Sequence, residues 1–397
     1  MKDRETEGYT MKPHWMTAER IRLYPRIIII VYVIGLVLWV VSAEGMIDYR
    51  GKPLGADFMS HWSGGRLALG GEPEAAYEPA RLLEASRQGV AGNQARFMWS
   101  YPPTYHLLML PLGVLPYGVA LFLWSLIQVG LFAFAMGALV PSRPALWCAL
   151  AFPGLFLNLI QGQNGLFITA LVAGAVVFME RRPALAGAMI GLLSFKPHLG
   201  ILFPIALAAG RHWRVLVSAT IVTLIFLEAA FLAFSGDVFA AFFNNLSFAS
   251  HVVETGALPW YKMPSLFVSL LEFGVAVPLA WAAQGLAFVG LAGLLGFVWW
   301  RRPPVRLAMA VLIPAALLAS PHINDYDLCL MAVPIAILGW HGYQNGWLRW
   351  EREGLLAAWL IPILDAPLAQ QTGLHAALFI NLMMIFLALR RIGHLPD

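Results

Sequence analysis

The segment GADFMSHWSGG, residues 55–65, sets Asp57, Ser60, His61 and Trp62 close together shortly after a strongly apolar run. A carboxylate there has two uses. It can cap the helix that the following residues form, or it can take a proton from a hydroxyl held within hydrogen-bond reach. Lys196 poses the converse problem, because it lies between Phe195 and Pro197 in an apolar stretch. An unpaired ammonium costs about 2.5–3.5 kcal/mol at mid-membrane, so it needs a partner. That partner is either a carboxylate, such as Asp365, or a phosphate carried in on a lipid. NLIQGQNGLF, residues 158–167, has more polarity in Gln161, Gln163 and Asn164 than a tight connection needs, which suits the lining of a substrate site. ASPHINDYDL, residues 319–328, offers His322, Asn324, Asp325 and Asp327. Their spacing matches no recognised metal signature, and hydrogen bonding to a sugar or phosphate fits them better. No metal is expected.

These residues stand in a chain of 397 residues that is 59% hydrophobic and 12% charged. A soluble surface needs more charge than that, so the chain is read as an all-α, polytopic membrane protein. The formal charge of +4 does not point to nucleic acid, because the basic residues fall in short clusters between apolar runs, where they report orientation. Cys148 and Cys329 are the only cysteines and both lie in apolar stretches, which gives neither a disulfide framework nor a metal ligand set.

The first apolar run, residues 27–43, follows a charged leader and is read as a retained helix. Others lie at 118–140, 145–160, 164–179, 213–234, 278–300, 304–320, 326–342, 354–364 and 373–389. Between 184 and 210 the chain is expected to form two short helices meeting at Lys196-Pro197, since this keeps the arginine pairs on either side in the same compartment. About twelve spans follow, with both termini inside. Most of the 26 Lys and Arg residues then face the cytoplasm. Asp57, His61, Arg66, Tyr101, Gln163, Asn164, Lys196, His198, His322, Asn324 and Asp325 gather on the other face.

The loop 44–104 is expected to contain two helices. One, near 58–69, would lie at the membrane surface with Phe58, Trp62 and Leu69 on one stripe and Asp57 at its N-cap; the other would span 79–88. In FMWSYPPTYHLLMLPLGVLP, residues 97–116, Pro102-Pro103 forces an extended entry into an interfacial helix, and Trp99, Tyr101 and Tyr105 suit an aromatic belt or a site wall.

Taken together, GADFMSHWSGGRLALGGEPEAAYEP, YPP…LPLGVLP, QGQNGLF, AGAMIGLLSFKPHLGILFP with the following RHWR, and SPHINDYDL resemble the polyprenol-phosphate-mannose-dependent mannosyltransferases. These are integral-membrane glycosyltransferases of the GT-C fold. The resemblance runs from about residue 27 to about 340 and rests on the order and spacing of loose motifs. It implies one membrane domain over 1–397 and inverting transfer of a hexose, mannose by the resemblance, from a polyprenyl-phosphate donor to a lipid or glycan hydroxyl. It implies no cofactor. It places the active site on the periplasmic or extracellular side of a bacterial inner or plasma membrane, with Asp57 as base and a functional role for His322. Lys196, His322 and Arg66 would meet the donor phosphate; His61, Tyr101, Gln163, Asn164, His198, Asn324 and Asp325 would line the substrates. A transporter or flippase of a lipid-linked sugar, or a non-catalytic subunit of envelope polysaccharide assembly, would use many of the same polar groups.

Overall fold

The computed structural model describes residues 15–394 and is all-helical; outside its helices two isolated bridges, Glu44–Ile47 and Ile47–Pro53, tighten the turn before Asp57. The first fourteen residues of the leader lie outside the described residues. Helix α1 (Ala18–Val41) begins at Thr17, whose side chain accepts from the Arg20 N–H. Most of its surface is exposed and apolar, with Ile30, Val31, Leu38 and Val41 facing outward, as expected of a lipid-facing span. It docks through Tyr32, stacked on Phe156 at 4.3 Å, and Arg26, over the Trp147 ring.

Helices α2 (Ala56–Leu69), α3 (Pro79–Gly89) and α4 (Pro103–Gly113) follow. Pro102 is extended (φ −60°, ψ 161°), as the proline pair requires. Helix α2 was expected at the membrane surface, yet Phe58 to Gly65 are all buried. Small residues cause the difference: a Cβ on Gly65 would sit 2.5 Å from the Met109 carbonyl oxygen, and one on Gly113 2.7 Å from Gly65. With glycine at both positions the backbones of α2 and α4 touch, and α2 is drawn into the bundle.

The remaining helices are α5 (Tyr117–Leu139), α6 (Arg143–Leu150), α7 (Pro153–Gln161), α8 (Gly165–Phe178), α9 (Pro183–Leu192), α10 (Pro197–Gly200), α11 (Phe203–Ala209), α12 (Trp213–Glu254), α13 (Leu266–Glu272), α14 (Val277–Trp300), α15 (Val305–Ala319), α16 (Ala332–Asn345), α17 (Glu351–Thr372) and α18 (Ala376–Gly393). The break expected at Lys196-Pro197 separates α9 and its 3-10 extension from α10. Among the described residues five helices (α1, α5, α12, α14 and α18) are long and apolar enough to cross a membrane, and α6 with α7, bent by 42°, makes a sixth. The other apolar runs form shorter or more polar helices, so the expectation of about twelve spans rests on passes that tilt little or pack inside the bundle. One extent was missed: the run expected over 213–234 continues to Glu254 through a break at Ser235 (φ 68°, ψ 179°).

Helix α15 is the axis of the core, with every residue from Leu307 to Ala319 buried. It runs from the arginine-rich turn at 301–302 to the segment 320–327. A second, smaller apolar cluster of Val253, Met263, Phe267, Val268, Leu271 and Ala280 joins the end of α12 to α13 and α14. Both cysteines are free.

Candidate active site

Two glycines bring the polar groups together. Gly162 (φ +70°) ends α7 in a left-handed turn, and a Cβ there would lie 2.6 Å from Phe58 Cβ. A Cβ on Gly165 would lie 2.6 Å from Asn158 Oδ1 and 2.7 Å from the Tyr326 carbonyl oxygen. The turn 162–164 is thus wedged between the start of α2 and the 3-10 segment Asp325–Met331. Asn158 fixes the wedge, donating to the Tyr326 carbonyl (3.0 Å) and accepting from Gly165 N (2.8 Å). Gln128 on α5 donates to the Gln163 carbonyl (2.9 Å) and accepts from Phe167 N (3.2 Å).

Asp57 does not cap α2. Gly55, in the left-handed region (φ 63°), is the N-cap, and Asp57 lies one residue inside the first turn. Its Oδ2 accepts from Gln163 Nε2 at 3.0 Å, while Oδ1 accepts no hydrogen bond from the described residues. The carboxyl is half-buried. Burial raises its pKa above the usual carboxylate range, and the Gln163 hydrogen bond and the positive charges of Lys262, Lys52 and Lys196 pull it part of the way back.

Behind Gln163 the donors and acceptors run in one direction. Tyr101 Oη donates to Gln163 Oε1 (3.3 Å) and lies 3.3 Å from His61 Nε2; Tyr105 Oη lies 3.2 Å from His61 Nδ1. Asn164 Nδ2 donates to both tyrosine oxygens at 3.1 Å. Since the Tyr101 proton goes to Gln163, His61 must donate from Nε2 and accept at Nδ1 from Tyr105. Burial lowers the His61 pKa to about 3, so the ring is neutral and holds this arrangement at neutral pH. The chain Tyr105–His61–Tyr101–Gln163 thus orients the amide whose N–H meets Asp57.

Lys196 is buried and forms an ion pair with Asp327, with its ammonium 4.7 Å from the centre of the Tyr326 ring. The sequence-based candidate Asp365 is not its partner. Asp365 instead receives a 2.7 Å contact from His375 Nδ1 and the Ala377 N–H at 2.7 Å, which close the α17–α18 turn. Asp327 wins because the capping box it forms with Asn324 points its carboxylate back toward the break at Lys196.

Asp325 accepts from Tyr326 N at 2.8 Å and from Gln161 Nε2 at 3.3 Å. Burial raises its pKa to about 6, against the pull of Lys262. Lys262, in the 3-10 turn Trp260–Lys262 before α13, thus acts on both Asp57 and Asp325, and it has no ion-pair partner among the described residues. Sequence reading passed over it. The available signal was its position: under the expected topology, Lys196 and Lys262 are the two basic residues on that face outside the loop 44–104.

The other candidates stand apart from Asp57. His322 is seated between the rings of Phe267 (6.1 Å) and Trp281 (5.7 Å), where burial lowers its pKa and Glu254 opposes the shift. Burial, with Lys196 next, lowers the His198 pKa well below the ordinary range. Arg66 is exposed three turns along α2, where it donates to the Gly113 carbonyl at 3.3 Å and lines a separate hollow with Glu72 and Arg81. Among the described residues no group of three or more His, Cys, Asp or Glu is arranged to hold a metal ion.

The fold is an all-helical bundle with several helices apolar enough to cross a membrane, and it gathers a carboxylate, an amide relay and two ammonium groups at one end. A family model gives the finer assignment. Glycosyltransferase family 87 matches residues 99–321, more than half of the chain, and the chain belongs to that family. It is an integral-membrane glycosyltransferase. The matched segment holds Tyr101, Gln163, Asn164, Lys196 and Lys262; Asp57 precedes it, and His322 follows at once. Neither the curated proteins nor the solved structures contained a match to the chain.

Proposed function

We propose that this glycosyltransferase moves a hexose, mannose by the resemblance of its motifs, from a polyprenyl-phosphate donor to a hydroxyl of a lipid or glycan acceptor, with inversion, on the external face of the membrane. The acceptor O–H proton passes to Asp57 Oδ1 as the oxygen attacks the anomeric carbon. The bond from that carbon to the phosphate oxygen breaks, and polyprenyl phosphate leaves with the electron pair. Lys262 meets the negative charge that grows on the departing phosphate, and Lys196, held by Asp327, adds its field from behind. Asn324, Asp325 and Gln161 offer hydrogen bonds to sugar hydroxyls, and Tyr101, its hydroxyl already committed to Gln163, His61 and Asn164, holds the wall behind them. His322, from the second apolar cluster, and His198, from α10, contact the donor, and Arg66 stands farther out, where it can guide an anionic lipid toward the site.

The observation that carries the reading is the unshared oxygen of Asp57, aimed by Gln163 and flanked by an uncommitted lysine. Purified protein in nanodiscs, supplied with a synthetic polyprenyl-phosphate sugar and a lipid acceptor extract, should form a new glycolipid detectable by mass spectrometry. Asp57→Asn should lower that rate by about 10²–10⁴-fold while folding is preserved. Undiminished transfer by the variant removes Asp57 from the base role. Sugar crossing a vesicle wall with no new glycolipid favours the flippase reading.

A further inference from the structure

At the end of the bundle remote from Asp57 lies a cavity of about 520 Å³. It is walled by Glu180 after α8, Arg211 and His212 between α11 and α12, Trp299 at the end of α14, and Arg302 before α15. The 15 residues of α15 separate it from the segment that carries Asp325, roughly 22 Å at the α-helical rise. It is therefore distinct from the transfer site.

Positive-inside orientation accounts for basic residues in these turns and for nothing more specific. Three observations go further. Arg211 and Arg302 both have left-handed backbones (φ 58° and 52°), where a turn would ordinarily take glycine or asparagine. Two turns from distant parts of the chain thus keep a long cation in an unfavourable conformation at the same cavity, the kind of local strain that marks functional positions. Neither guanidinium has an ion-pair partner among the described residues. Trp299, only 2% exposed, supplies part of the cavity wall. His212 meets the Trp299 ring edge-on at 5.6 Å; burial lowers its pKa, Arg302 lowers it further and Glu180 opposes both, so it is a neutral donor or acceptor at neutral pH.

Trp213, Phe297 and Trp300 are exposed beside these turns, the arrangement of aromatic residues at a membrane boundary. Two arginines and one glutamate leave a single net positive charge. That charge, with Arg181, Arg182, Arg214 and Arg301 close by in the chain, suits an anionic headgroup.

We propose that this cavity binds the phosphodiester headgroup of an anionic phospholipid from the leaflet at the arginine-rich end, with Arg211 and Arg302 on the phosphate oxygens. The test uses full-length protein in a neutral detergent, titrated with short-chain phosphatidylglycerol, phosphatidylcholine or inorganic phosphate and read by native mass spectrometry. Phosphatidylglycerol should bind in preference to phosphatidylcholine, and Arg211→Gln with Arg302→Gln should weaken it by about tenfold or more, the loss expected for charge-assisted hydrogen bonds. Arg302→Gln alone should weaken it by a smaller factor, so the proposal stays testable if the arginine pair proves necessary for folding. Glu180→Gln should raise affinity for phosphatidic acid. Equal retention of phosphatidylcholine, undiminished binding in both the double and the single arginine variant, or displacement of phosphatidylglycerol by equimolar inorganic phosphate would overturn the assignment.

Discussion

At the scale of single residues the site depends on one amide. Gln163 donates to Asp57 and accepts from Tyr101, so it stabilises the ionised carboxylate and fixes which oxygen is left for the acceptor. The proposed base works only when ionised, and burial moves the Asp57 pKa upward, so transfer should fall as pH drops through a value above the ordinary carboxylate range. Gln163→Leu removes a contact that favours the charged form, which raises the pKa further. The acid limb of kcat/KM against pH should then shift to higher pH, and a limb that stays put or moves down would contradict the role given to Gln163. Lys262→Met should raise the KM for the donor and also shift the limb upward.

Asp325 shows the same physics acting on stability. Its folded pKa of about 6 exceeds the unfolded value of 3.8, so ionisation opposes folding. The favourable state is present below 3.8 and is lost as pH rises toward 6. Asp325→Asn keeps an oxygen to accept from Gln161 and Tyr326 and removes that charge. The variant should gain more thermal stability at pH 7 than at pH 4; equal gains at both would place the ionisation elsewhere.

At the scale of elements, geometry is set where backbones touch. Gly162→Ala would put a Cβ into Phe58 and force alanine to a positive φ. Both the melting temperature and transfer should drop, because the turn that aims Gln163 must move. The break between α9 and α10 is held differently. Lys196 and Asp327 are both buried, and removing either leaves an uncompensated charge, a loss of about 3–5 kcal/mol. Lys196→Met or Asp327→Leu alone should therefore lower the midpoint of thermal unfolding in detergent sharply, whereas the two together should recover most of the loss. Additive losses in the double variant would show that the ion pair is not the main bond holding the break. At the far end Arg391 is paired in the same way with Glu351, joining α17 to α18.

At the scale of the whole molecule, a buried central helix links two polar ends. α15 carries one end to the proposed transfer site and the other to the arginine-rich cavity, surrounded by helices whose outer faces are apolar. The expected orientation, with Asp57 outside, can be read with an impermeant thiol reagent on a background lacking Cys148 and Cys329. Glu84→Cys on α3 should be labelled in intact cells and Ser142→Cys between α5 and α6 only after lysis. The reverse pattern would invert the molecule and remove the external location of the reaction.

Residue types and their spacing determined the class of the protein: the apolar runs, the arginine turns between them, the proline break at Lys196 and the glycine-bracketed QGQNG turn are local properties of the chain, and the helices follow them closely. They also marked Asp57, Gln163, Asn164 and Tyr101 as a polar set that ordinary helix connections do not need. Partnership was not local. Whether Asp57 caps α2 or faces a substrate depended on Gly55 taking the cap and on Gly162 letting the turn approach, and Lys196 found Asp327, 131 residues away, where the sequence offered several carboxylates. Burial likewise belongs to the assembled bundle: α2 has the length of a surface helix, but the meeting of Gly65 with Gly113 places it inside. Lys262 acquires its place beside Asp57 and Asp325 in the same way, because an electrostatic neighbour is defined by distance through space, and sequence separation carries almost no information about that distance.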